Sequence, residues 1–221
     1  MSRNETAPLL PAPKALLFDW DGTLVDTHAV LAKSMNQALK AFHMEPWSVE
    51  KWAEWLGASA RDSFPALFGD QWEEAQDIYL EAYACNHLED LKLKPGAHDL
   101  IRNLDIKSVY LGVVSNKTGH LLREEVDHLG LSDCFGQIIG AGDSVCDKPA
   151  ADPIYLALEP SSYVADTRVW FIGDNAVDVD CGRNANCTTI LLGDGYQEAN
   201  PDGRVADLVA LKLLIWSAKE W

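Results

Sequence analysis

The chain has 221 residues, 48% of them hydrophobic, which is ample material for a buried core and excludes a disordered chain. Lys and Arg number 18 against 34 Asp and Glu, and the resulting formal charge of −16 repels nucleic acid and anionic lipid alike. Neither is expected as a partner, and a phosphorylated ligand needs a local cation to enter against that field.

In chain order, residues 1–13 carry three Pro and no charged start followed by an apolar run, so they are expected as a flexible tail and not as a signal peptide. Ala15-Leu16-Leu17-Phe18 then runs into Asp19, the first of several short apolar runs that end in polar or Gly-containing turns. The others are Val109–Val114 before Ser115, Gln137–Ile139 before Gly140, Val169–Ile172 before Gly173 and Thr188–Leu192 before Gly193. Runs of this length without alternation predict strands buried on both faces, as in a parallel sheet covered by helices. Helical stripes lie between them, at Leu100, Ile101 and Leu104, and at Leu121, Leu122, Glu125-Val126 and Leu129. Gly130 follows the second stripe as a helix-ending residue. The alternation predicts a doubly wound α/β domain.

About 90 residues separate the first strand from the second, and a βαβ unit needs only about 30. The surplus has helical spacing: Leu31, Met35, Ala38-Leu39 and Phe42, then Trp72, Ala75, Ile78-Tyr79 and Tyr83. Pro46 and Ser48 offer a helix start ahead of Trp52, Trp55 and Leu56. Residues 27–94 are therefore expected as an inserted helical cap, joined at two chain crossings to a core of 14–26 and 95–221. Trp47, Trp52, Trp55 and Trp72 all fall in the insert and are expected to pack its small core.

The five Cys (Cys85, Cys134, Cys146, Cys181, Cys187) form no disulfide framework or zinc spacing, and no run approaches the ~18 apolar residues of a membrane span. A reducing, cytoplasmic setting is the expectation. Gly140-Ala141-Gly142-Asp143 lacks the third Gly of a dinucleotide loop and is set aside. The sequence leaves oligomeric state open.

Ligands of open α/β sheets sit beyond the carboxyl ends of the strands. Those positions here hold Asp19, Asp21, Ser115, Asn116, Asp174 and Asp178, with Lys148 in the long loop after the third strand. Four carboxylates against one ammonium leave an excess of negative charge, and like charges ~4 Å apart cost about 4 kcal/mol per pair at an effective dielectric of 20. Hard oxygen donors in that number suit Mg²⁺, which commonly shares its shell with phosphate oxygens.

Asp19-Trp20-Asp21-Gly22-Thr23-Leu24-Val25-Asp26 resembles the first motif of the haloacid dehalogenase superfamily. Val113–Lys117 resembles its second, Lys148–Pro153 its third and Phe171–Asp178 its fourth. The resemblance runs from about Lys14 to Tyr196 and implies an α/β, doubly wound, Rossmann-like core with a small helical cap, in the phosphoglycolate-phosphatase-like branch. It implies that Asp19 is the nucleophile that takes the phosphoryl group and Asp21 the general acid and base. It implies that Asp19, Asp174 and the Asp21 carbonyl bind Mg²⁺, with Asp178 supporting them. Ser115 and Lys148 would meet the phosphoryl oxygens, and Gly22, Thr23 and Asn116 would line the phosphate. Trp55–Phe64 would form a substrate-facing loop, with Arg61 as its one cation. The implied activity is Mg²⁺-dependent hydrolysis of a small phosphomonoester through an aspartyl-phosphate.

Two alternatives stay open. Mutases of the superfamily place a His in the helix after the first motif, where this chain has Leu31, which favours hydrolysis over phosphoryl transfer. A non-catalytic phospholigand-binding descendant is the other.

Overall fold

The computed structural model describes residues 10–48, 51–52, 55, 57–89, 91–106 and 109–218. Six parallel strands, β1 (Ala15–Phe18), β2 (Tyr110–Thr118), β3 (Gln137–Ala141), β4 (Val169–Gly173), β5 (Thr188–Leu192) and β6 (Gly203–Val205), form one sheet in the order β3-β2-β1-β4-β5-β6. The helices are α1 (His28–Ala41), α2 (Ala60–Phe68), α3 (Trp72–Ala84), α4 (Ala97–Ile106), α5 (Gly119–His128), α6 (Asp152–Leu158), α7 (Ala176–Asn184) and α8 (Leu208–Ala218).

All residues of β1, β4 and β5 are buried. Leu16 and Phe18 face one side with α4, α5 and α8, while Ala15 and Leu17 face the other with α6 and α7. Burial on both faces is why these strands read as unbroken apolar runs. Gly130 has φ +67° just past the end of α5, a left-handed turn that an L side chain rarely adopts.

β1 sits at the centre, with Phe18 paired to Val113 of β2 on one side and Ile172 of β4 on the other. Strand order reverses there, so the residues that follow these three strands open onto one crevice.

α1, α2 and α3 pack together off the sheet around Leu31, Met35, Leu39, Phe64, Ala75 and Tyr83, and α5 of the core adds Leu121 to that cluster. Two linkers join the cap to the core side by side: Lys94 N–H donates to Leu24 O (2.8 Å) and Asp26 N–H to Lys92 O (3.3 Å).

Several expectations change. Residues 60–64, expected in a loop, open α2. The helix start expected at Pro46 and Ser48 agrees with helical Lys51-Trp52, whose Trp52 N–H reaches Ser48 O (2.9 Å), while Leu56 lies outside the described residues. β2 runs on through Ser115, Asn116 and Lys117 past a register shift against β3, so these residues lie in an irregular strand end and not after it. β6 and α8 carry no sequence expectation. Leu10 packs on the core and Pro11 O accepts the Trp170 indole N–H (3.1 Å), so the last residues of the expected tail are docked. Residues 1–9 lie outside the described residues.

No disulfide joins the five Cys, all of which lie among the described residues. Among the described residues no helix is long and apolar enough to cross a membrane.

Candidate active site

Asp19 leaves the end of β1 almost fully buried and Asp174 follows β4 directly. Asp178 lies one turn into α7, where its Oδ2 accepts the Asn175 N–H (3.0 Å) while the Asn175 side chain caps the same helix. Carboxylate oxygens of Asp19, Asp174 and Asp178 all fall within 4.8 Å of one another. Lys148 Nζ reaches Asp19 Oδ1 at 2.6 Å and Asp178 Oδ1 at 2.7 Å, and the Thr23 hydroxyl donates to Asp174 Oδ1 at 3.1 Å.

Gly22 is at φ +79°, and a Cβ there would stand 2.3 Å from Asp174 Oδ2, so the turn after β1 admits no side chain beside that carboxylate. Its own N–H donates to Val25 O (2.9 Å) and closes the turn.

Burial pushes the Asp19 carboxyl up from its ordinary 3.8 to about 7, with Lys148 pulling it down and the Asp178 charge pushing it further up. Burial and then the Asp19 charge raise Asp174 to about 6. Asp178 is raised as well, again chiefly by burial. Burial opposes the charge on Lys148, but Asp178 and Asp19 outweigh it and hold the ammonium charged. Three crowded carboxylates with one ammonium are short of positive charge. The all-oxygen donor set, hard and anionic, fits a divalent cation such as Mg²⁺.

These groups lie at one end of a cleft of about 820 Å³, partly open to solvent, between the sheet and the cap. Ser115 and Asn116 also line it. The Asn116 carboxamide is committed to backbone: Nδ2 donates to Gly57 O of the cap (2.6 Å) and Lys148 O (2.9 Å), and Oδ1 accepts the Lys148 N–H (3.0 Å). Thr23 serves the carboxylates in the same way. Arg61 does not line the cleft. Its Nε and Nη2 each reach Asp147 at 2.6 Å, a two-pronged bridge from α2 of the cap to the loop ahead of Lys148.

The structure also builds a network that the sequence reading missed. Glu125, fully buried on α5, accepts from Trp20 Nε1 (2.6 Å), Tyr83 OH (2.6 Å) and Lys117 Nζ (2.7 Å), with His87 Nδ1 at 2.9 Å. Lys117 Nζ also donates to Asp21 Oδ1 (2.7 Å), and Thr27 binds the same oxygen. No described residue binds Asp21 Oδ2. The network thus ties the cap, through Tyr83 and His87, to the carboxylate beside the cleft. One signal was available: Glu125 falls on the apolar stripe of α5, and a carboxylate on a buried helix face needs partners.

The model of the haloacid dehalogenase-like hydrolase family matches residues 16–192. A phosphoglycolate phosphatase of Aquifex aeolicus is 29% identical over 205 residues, covering 90% of this chain and 96% of its own. A pyrophosphatase, PpaX, of Oceanobacillus iheyensis is 25% identical over 187 residues, covering 85% and 86%. The solved structure of a haloacid dehalogenase-like family hydrolase from Streptococcus pneumoniae superposes with a TM-score of 0.80 over 93% of this chain and 99% of its own, at 23% identity, and so shares the fold. With motif residues, sheet order and family match in agreement over most of its length, the chain belongs to the haloacid dehalogenase-like hydrolases.

Proposed function

We propose that the protein is a Mg²⁺-dependent phosphatase that hydrolyses a small phosphomonoester through an aspartyl-phosphate on Asp19. The observation that carries this reading is the buried trio Asp19, Asp174 and Asp178 with Lys148 Nζ set between Asp19 and Asp178. The names of the relatives support phosphate-ester chemistry, and phosphoglycolate is the first of their substrates to try.

The Asp19 carboxylate attacks phosphorus as the ester P–O bond breaks, and Asp21 gives its proton to the departing alkoxide oxygen. Asp21 Oδ2, to which no described residue bonds, is the atom available for that proton, while Lys117 and Thr27 hold Oδ1 in place. Asp21 then takes a proton from the water that attacks the acyl phosphate, releasing inorganic phosphate and restoring Asp19. Lys148 offsets charge on Asp19 and on the transferring group, and Ser115 donates to a phosphoryl oxygen. Asp19, Asp174 and the Asp21 backbone carbonyl would hold Mg²⁺, with Asp178 behind them. The ion would supply positive charge opposite the non-bridging phosphoryl oxygens. Residues 27–94 form the cap, whose closure shields the acyl phosphate from all but the attacking water.

Phosphate release from a panel of metabolite esters with Mg²⁺, silenced by EDTA, tests the reading. A beryllofluoride adduct on the Asp19 carboxylate tests the intermediate, and an adduct elsewhere overturns it. Phosphoryl transfer to a second hydroxyl has one observation in its favour. Leu31 holds the position that mutases give to His, but His28, one turn earlier on α1, lines the cleft. Isomerised hexose phosphate, in place of free phosphate, would establish that alternative.

A further inference from the structure

Beyond the phosphoryl end, the cleft changes character. Its wall is Leu31, Trp52, Trp55, Tyr79 and Leu80 from the cap with Leu121 from α5. Trp55 lies with its ring centroid 5.0 Å from that of Trp47. Trp52 is 8% exposed, and its indole N–H is the one buried side-chain polar atom among the described residues without a hydrogen-bond partner.

Among the described residues, no lysine or arginine is left unpaired at that wall, and His28 is the one basic side chain of the lining not bonded to a carboxylate. The basic side chains lining the cleft among the described residues are Lys117, Lys148 and His28. Each lysine already faces two carboxylates, Asp21 and Glu125 for Lys117, Asp19 and Asp178 for Lys148. Arg61, the cation expected to meet an acidic substrate, is held in both prongs by Asp147. The neighbouring residues outside the described set (Val49, Glu50, Ala53, Glu54 and Leu56) include no basic side chain. A carboxylate on the leaving group would thus lose water and meet aromatic rings and an acidic surround, a cost that an uncharged group escapes.

We infer that the preferred substrate is the phosphomonoester of an uncharged, ring-bearing alcohol and not of a hydroxy acid. The ring packs against the Trp and Tyr side chains of the cap that line the cleft. This inference rests on the phosphatase reading above and narrows its substrate class.

The test compares kcat/KM for benzyl phosphate and phosphoglycolate, both esters of alkyl alcohols, with phenyl phosphate as a general phosphatase substrate. The expected result is at least a tenfold advantage of benzyl phosphate over phosphoglycolate. In Ala58→Arg, which adds a cation at an exposed position lining the cleft, the ratio should shift several-fold toward phosphoglycolate. A ratio near one, or in favour of phosphoglycolate, overturns the inference and leaves the phosphatase reading standing. Absence of Mg²⁺-dependent phosphate release from all three esters overturns both.

Discussion

The two ends of the cleft are built on opposite principles. The core end gathers Asp19, Asp174, Asp178 and Lys148 from the ends of adjacent parallel strands and their loops, nearly every polar atom spoken for and net charge left over. The cap end is a wall of aromatic and aliphatic side chains that continues the packed centre of α1, α2 and α3. The first is suited to one chemical step on one kind of group, and it tolerates little change. The second, on the substrate reading proposed above, would select by shape and dryness, and several of its residues belong to the cap's own core. On the proposed reading, chemistry and selection are separable in this molecule, and among the described residues the two ends meet at the paired linkers, at α5, at the Asn116–Gly57 contact and at the loop before Lys148.

The sharpest way to break that separation is at Asp19. Asp19→Asn should lower kcat by at least about 10³-fold, about 4 kcal/mol of barrier, because no other group replaces the nucleophile. Its circular dichroism should match wild type, as should its unfolding midpoint at pH 5, where the Asp19 carboxyl is itself uncharged, and a fully active variant would falsify the assignment.

Glu125→Ala strikes the joint between the two ends. It leaves Lys117, Tyr83, His87 and Trp20 without their common acceptor. Removing one partner of a buried ion pair costs about 3–5 kcal/mol, to be read from urea unfolding. A loss below about 1 kcal/mol would mean that water replaces the carboxylate and that the joint is not the rigid element described.

The core end should also declare its surplus charge through pH. The raised carboxyls of Asp19 (about 7) and Asp174 (about 6) are protonated in the folded, metal-free protein over a range where the unfolded chain has ionised them. Their contribution to stability is full below the ordinary 3.8 and is lost as pH rises through 6 to 7. Without metal, the melting temperature should fall between pH 5 and 8, and the gain on adding Mg²⁺ should be larger at pH 8 than at pH 5. An equal gain at both values would separate the metal from these carboxyls.

The smallest effect is expected at the Arg61–Asp147 bridge. Arg61 is 35% exposed but its partner Asp147 only 1%, so water must enter to solvate the freed carboxylate, and Arg61→Ala should cost about 1–2 kcal/mol. Its signature is a raised KM from a loosened cap with little change in kcat, and an unchanged KM would remove the bridge from any part in closure.

The charged end was legible in the sequence and the joint was not, for a physical reason. Asp19, Asp174 and Asp178 announce themselves because each follows a fully buried strand within a few residues, where a parallel sheet must place its ligand. Lys117 was read only as part of the second motif, and Glu125 only as a place on a helical stripe. Their partners Tyr83 and His87 come from the insert, some forty residues away from Glu125 along the chain. Arg61 shows the converse. The family resemblance offers it to an acidic substrate group and its residue type offers it equally to a salt bridge, and the structure gives the second: Asp147, 86 residues on, takes both of its prongs. β6 escaped notice because three half-exposed residues at a sheet edge carry no pattern, and α8 because its helix is apolar all round.

By itself the sequence determined the covered parallel sheet and the family to which the crowded carboxylates belong. Both follow from local pattern: burial on both faces makes a strand uniformly apolar, and a tight turn at a strand end needs particular residues. Only the tertiary structure decided which charges neutralise one another. A salt bridge depends on two side chains meeting across the fold, and no spacing along the chain encodes that meeting. The character of the cleft beyond the phosphoryl site follows from those pairings, because a lysine or arginine already held by carboxylates is no longer a binding group.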